Sequence, residues 1–105
     1  MRLLPALLLL TSLPALAAPP QVSLTIKDHQ FVPTEIRVPA GQKVELRIEN
    51  QDITPEEFES HTLDREKMIV GGATVSIMIG PLEPGTYPFV GEFNEDSAKG
   101  VVIAE

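Results

Sequence analysis

The chain has no cysteine, no tryptophan, one tyrosine and only two histidines. Without cysteine there is no disulfide scaffold, no zinc–thiolate site, no thiol nucleophile and no metal centre that needs a thiolate. Nor is there a residue to carry the lipid of a bacterial lipoprotein. The shortage of aromatics argues against a sugar-binding or base-stacking platform. Two histidines exclude a three-His oxidase site built from one chain. Basic residues are also scarce, 8 Lys and Arg against 15 Asp and Glu, for a net charge of -7. Such a chain repels nucleic acid and anionic membrane surfaces, so neither is expected as a partner. Long apolar runs are missing too. Leu3 to Leu16 is apolar but broken by Thr11 and Ser12, and it falls short of the roughly 20 residues a membrane-spanning helix needs.

That run has another reading. Met1-Arg2 supplies a positive start, and Ala15-Leu16-Ala17 fits a small-x-small cleavage pattern. Together they predict a secretory signal peptide over 1–17 and one domain over 18–105. The expected location is the periplasm, with no membrane insertion after cleavage. A domain of this size buries only about 60–65% of its unfolded surface, so its core must be densely packed.

The remainder alternates. Val22, Leu24 and Ile26 sit at period two, as do Ile36 and Val38, then Val44, Leu46 and Ile48, then Val75, Ile77 and Ile79. Tyr87 with Phe89, and Val101 with Ile103, repeat the pattern. Period two with β-branched residues predicts half-buried strands. Turn residues separate them at Pro39-Ala40-Gly41, Asn50-Gln51-Asp52, Gly71-Gly72 and Pro84-Gly85. No stretch shows a helical period, and no repeat is evident. The fold class predicted is all-β, a sandwich of short antiparallel strands.

Acidic residues are unevenly spread. Asp52, Glu56, Glu57, Glu59, Asp64 and Glu66 lie within residues 52–66, where Arg65 is the only Lys or Arg, and Glu92, Glu95 and Asp96 form a second group. Acidic loops are usually solvated. These flank Phe58 and Phe93, which read as buried, and two groups distant in sequence can meet in space as carboxylate metal sites do.

Phe31-Val32-Pro33, then Ile36-Arg37-Val38-Pro39-Ala40-Gly41, then Leu82-Glu83-Pro84-Gly85-Thr86-Tyr87-Pro88-Phe89 and the closing Lys99-Gly100-Val101-Val102 resemble a cupredoxin domain across nearly all of 18–105. The resemblance implies a Greek-key β-sandwich. It also shows what is replaced. Glu56 stands where the first copper-binding His is expected, Gly91 where the Cys is expected, and Ala98 where the axial Met would precede Lys-Gly. A type 1 blue copper centre is therefore excluded. The phrases Thr54-Pro55-Glu56-Glu57-Phe58-Glu59-Ser60, Arg65-Glu66-Lys67 and Gly91-Glu92-Phe93-Asn94-Glu95-Asp96-Ser97-Ala98-Lys99-Gly100 resemble the cupredoxin-like domains of periplasmic iron-uptake systems, the EfeO-type and Ftr-type proteins. That resemblance implies an iron or copper ion held by carboxylates, and an iron permease or periplasmic iron protein as partner. Many relatives are expected to carry a His at the position of Asn94, which offers only a carbonyl oxygen here.

Candidate ligands follow from parity. If residues 56 to 61 are extended, Glu56, Phe58 and Ser60 face one way and Glu57, Glu59 and His61 the other. Glu56 then lies inward, and the outer row offers a surface site. Glu92 follows Gly91 in the shortened ligand loop. Glu66 belongs to an acidic hairpin, where a local salt bridge competes with a ligand role. His29 precedes Phe31, and in the cupredoxin layout its segment passes the ligand end; an exposed loop His is the competing reading. Met68 and Met78 are assigned to packing. The leading reading is capture of iron or copper for oxidation or delivery, as a binding or electron-transfer component more than a stand-alone enzyme. The alternative is a metal-free acidic module that docks on a basic protein. No nucleophile elbow supports a hydrolase.

Overall fold

The computed structural model describes residues 2–10 and 18–105. The Ala15-Leu16-Ala17 cleavage pattern lies outside the described residues. Leu3 to Leu10 have no regular secondary structure and are exposed. No helix among the described residues is long and apolar enough to cross a membrane.

Among the described residues, nine strands follow in order: β1 (Gln21–Lys27), β2 (Gln30–Val32), β3 (Glu35–Val38), β4 (Val44–Asn50), β5 (Glu56–Ser60), β6 (Arg65–Ile69), β7 (Thr74–Ile79), β8 (Gly85–Gly91) and β9 (Lys99–Ala104). A single 3-10 turn, Glu92–Asn94, separates β8 from β9. A four-stranded sheet runs β2-β1-β4-β7, and a five-stranded sheet runs β3-β9-β8-β5-β6. The protein is all-β, with a cupredoxin-like fold.

Alternation identified inward faces correctly in most strands. Leu24, Ile26, Leu46, Ile48, Ile77 and Ile79 are buried, while their polar neighbours look outward. Two expectations need correction. The strands are not all antiparallel: β1 pairs parallel to β4 and β3 parallel to β9. Alternation encodes which face a residue takes, not which strand lies beside it. In β9 the parity is reversed. Val102 and Ala104 are buried, and Val101 and Ile103 are half-buried. The strand is apolar on both faces, so pairing with β8 sets its register, placing Gly100 opposite Phe89 and Val102 opposite Tyr87. Short β2 presents one inward residue, Phe31, too few for alternation to reveal a strand.

Between the sheets, Phe31, Phe58 and Phe89 form a buried trio. Ring centroids are 5.0 Å apart for Phe31–Phe89 and Phe58–Phe89, and 6.2 Å for Phe31–Phe58. Gly100 makes this possible, since a Cβ there would lie 2.4 Å from the Phe89 ring.

Candidate metal centre

The loop between β4 and β5 is anchored by Asn50, which is fully buried. Its Nδ2 donates to the carbonyls of Thr54 (2.9 Å) and Ile69 (3.0 Å), and its Oδ1 accepts from the Asp52 amide at 3.0 Å. That fixes where β5 begins. The β5–β6 hairpin turns at 61–64. Buried Ser60 donates to the Pro88 carbonyl (2.7 Å) and accepts from the Leu63 amide (3.2 Å).

β5 has the expected parity. Glu56, Phe58 and Ser60 are buried, while Glu57 and Glu59 are half-buried on the other face. Across the ladder, Glu57 opposes Met68 and Glu59 opposes Glu66, so Glu57 and Glu66 are diagonal neighbours within reach of long side chains. At the end of β8, Gly91 opposes Phe58, and the chain turns there, bringing Glu92 alongside. Glu57, Glu66 and Glu92 each offer a carboxylate oxygen, all within 4.8 Å of one another.

Three carboxylates this close repel. Glu57 responds: its hydrogen bond with Glu66, desolvation, and the charges of Glu66 and Glu92 push its carboxyl up to about 7. Among the described residues, no base forms an ion pair with them. Arg65 turns away to donate to the carbonyls of Met78 (2.9 Å) and Asp64 (2.8 Å). The ion pairs among the described residues join Arg37 to Glu35 and Glu105, and His61 to Glu59; Glu66 is in none. Oxygen donors with unrelieved negative charge suit a hard cation.

The other candidates lie elsewhere. Glu56 is 1% exposed, and both its oxygens accept hydrogen bonds from protein groups. Glu59 lies 3.4 Å from the ring of His61, whose side chain is 93% exposed. His29 has its Nε2 3.3 Å from Thr54 Oγ1. Its carbonyl accepts from Ser97 Oγ at 2.6 Å, so its backbone does meet the shortened ligand loop. Glu95 and Asp96 face solvent. Phe93, expected to be buried, is 48% exposed, because the 3-10 turn projects it outward. Packing does not account for the methionines either: Met68 and Met78 are 48% and 39% exposed. Met68 shares the outer face with Glu57, a placement readable only from the β5–β6 register.

The three positions where the resemblance expects copper ligands do meet. A Cβ on Gly91 would lie 2.6 Å from Glu56 Cδ and 2.7 Å from Ala98 Cβ. The Glu56 carboxylate fills that interior place, and without cysteine no type 1 copper site forms.

The family of cupredoxin-like domains matches residues 1–104. The chain belongs to that family. This cupredoxin-like protein is also 47% identical over 83 residues to an uncharacterised protein of Rickettsia prowazekii (strain Madrid E), covering 79% of this chain and 66% of the relative. The chain thus spans a little under two thirds of that curated relative's length. Among solved structures, it is similar to auracyanin A, a "blue" copper protein from Chloroflexus aurantiacus. That match has TM-score 0.71 and 16% identity, covering 84% of this chain and 100% of the other. Amicyanin from Paracoccus versutus matches with TM-score 0.62 and 21% identity over 89% and 85% of the two chains. The metal-binding domain of the Streptococcus pneumoniae D39 Cu(I)-exporting P-type ATPase CopA matches with TM-score 0.69 and 15% identity, over 81% and 84%. At these identities the likeness concerns the fold.

Proposed function

We propose that this cupredoxin-like protein binds iron or copper in the periplasm, as an EfeO-type component of a bacterial iron-uptake system. In this reading it oxidises ferrous iron or delivers iron to a permease or a partner iron protein. The observation that carries the metal role is the outward-facing trio of Glu57, Glu66 and Glu92, with oxygens within 4.8 Å of one another. Carboxylates suit ferric iron and also accept cupric copper, and the Met68 thioether adds a soft donor on the same face. An ion held there neutralises the repulsion that raises Glu57, so capture displaces the proton that Glu57 carries. The trio lies on the outside of the sheet, where a partner could reach a bound ion. Related folds that carry copper in their own names support a metal role for the frame.

A second reading has its own support. Phe93, half exposed beside Glu92, makes an apolar and acidic surface suited to a basic protein partner. Calorimetric titration separates the two. Cupric, manganous and chelated ferric ions are titrated into the protein at neutral pH. Micromolar or tighter binding is expected, weakened about tenfold or more by Glu57→Ala, Glu66→Ala or Glu92→Ala and retained in Glu59→Ala. Wild-type binding no tighter than millimolar sinks the metal role and leaves the docking module.

A further inference from the structure

Glu56 is a buried acidic side chain that the carboxylate trio does not use. A buried carboxylate needs donors to offset its lost hydration. Glu56 Oε1 accepts from the backbone amides of Glu57 (3.0 Å) and Phe93 (2.9 Å). Its Oε2 accepts from Asn94 Nδ2 at 2.7 Å. Two of these three donors belong to the turn Glu92–Asn94, which has no side-chain cap of its own. Gly91 admits the carboxylate, since a Cβ there would lie 2.8 Å from Oε2. Both oxygens are thus committed to the protein.

Glu56 and Glu57 are consecutive on β5 and face opposite ways. The carboxylate on the inner side therefore grips Phe93 and Asn94, while the one on the outer side meets Glu92, the residue just before them. We infer that Glu56 is a positioning residue of the metal site, whose buried carboxylate pins the turn after β8 to the start of β5 and so holds Glu92 beside Glu57. This rests on reading the trio as a metal site. Glu56 itself gives no oxygen to the ion.

The test combines cupric-ion calorimetry with amide hydrogen exchange on the folded protein. Glu56→Ala is expected to weaken cupric binding as much as Glu92→Ala does, about tenfold or more. The double variant Glu56→Ala/Glu92→Ala is expected to bind no more weakly than Glu92→Ala alone, because both changes remove the same donor. Glu56→Gln keeps an acceptor for the Phe93 amide, and Asn94 turned over offers its carbonyl to the new amide group. Cupric affinity should therefore be largely retained in that variant, which also serves if Glu56→Ala fails to fold. Losses that add in the double variant, wild-type affinity in Glu56→Ala, or a loss in Glu56→Gln as large as in Glu57→Ala would each overturn the positioning role. If the wild type binds no metal, the metal reading fails, and exchange at the Phe93 amide still judges the pin. Acceleration of about tenfold or more in Glu56→Ala supports it; unchanged exchange overturns it.

Discussion

Glu57 stands diagonally across the β5–β6 ladder from Glu66, and its hydrogen bond with Glu66 is the main cause of its raised carboxyl. Near pH 7 the trio is therefore held between a protonated form and a fully repelling one. The consequences are measurable in the absence of metal and in its presence.

Stability should fall as the pH rises through the upper half of the acid range. Glu57 titrates at about 7 in the folded protein against an ordinary 4.5. Between these values the folded state holds a proton that the unfolded chain has lost, so the stability it confers is complete below about 4.5 and lost as pH rises through about 7. The thermal midpoint of the metal-free wild type is expected to drop more between pH 5 and pH 8 than that of Glu57→Gln. Cupric affinity should climb over the same span, with proton release visible as a buffer-dependent binding enthalpy. Parallel pH profiles for the two proteins would exclude a raised Glu57 carboxyl.

Restoring a cysteine at the interior position should fail to restore blue copper. In Gly91→Cys the new Cβ would crowd Glu56 Cδ and Ala98 Cβ, at 2.6 Å and 2.7 Å. Overpacking of this kind costs about 1–3 kcal/mol. The variant is expected to unfold at lower denaturant and to show no intense thiolate-to-copper absorption with cupric ion. A stable blue variant would show that the Glu56 carboxylate yields its place.

Asp52 holds the corner after β1. Its oxygens accept the amides of Asp28 (2.8 Å) and His29 (3.0 Å), two residues with positive φ of 52° and 56°. The His29 hydrogen bond is the main cause of a carboxyl held below its usual range. Because the folded value is depressed, this contribution is present above the unfolded value of 3.8 and lost as pH falls through the folded one. Asp52→Ala should cost about 1–2 kcal/mol at neutral pH, with the difference from wild type shrinking on acidification below about 4, read by urea unfolding.

Met68 faces Glu57 directly. Met68→Leu is expected to leave manganous and ferric binding unchanged and to weaken cuprous binding about tenfold. Calorimetry under reducing, anaerobic conditions reads the difference, and equal cuprous affinity would remove the thioether from the site.

Particular residues show how much of this was legible in the sequence. Leu24, Leu46 and Ile77 announced their strands because polar residues stand between them and their neighbours. Val101 and Ile103 misled because Val102 and Ala104 are apolar as well, leaving cross-strand pairing to decide. Glu57 could be placed outward from parity alone. Its meeting with Glu66 depends on the β5–β6 register, and its meeting with Glu92 on the turn after Gly91. Glu56 looked like a ligand because a buried carboxylate needs partners, and the partners proved to be the Phe93 amide and the Asn94 side chain, 37 and 38 residues away.

β9 lies between β3 and β8, parallel to the first and antiparallel to the second. Until Lys99–Ala104 has been synthesised, β3 has no neighbour in its sheet, and Val38 lacks the amide of Glu105 that its carbonyl accepts at 3.1 Å. Closing so long a loop is entropically costly, and parallel pairings of this range form slowly. A nascent chain therefore leaves the five-stranded sheet incomplete, with β3 and β8 apart, until β9 emerges.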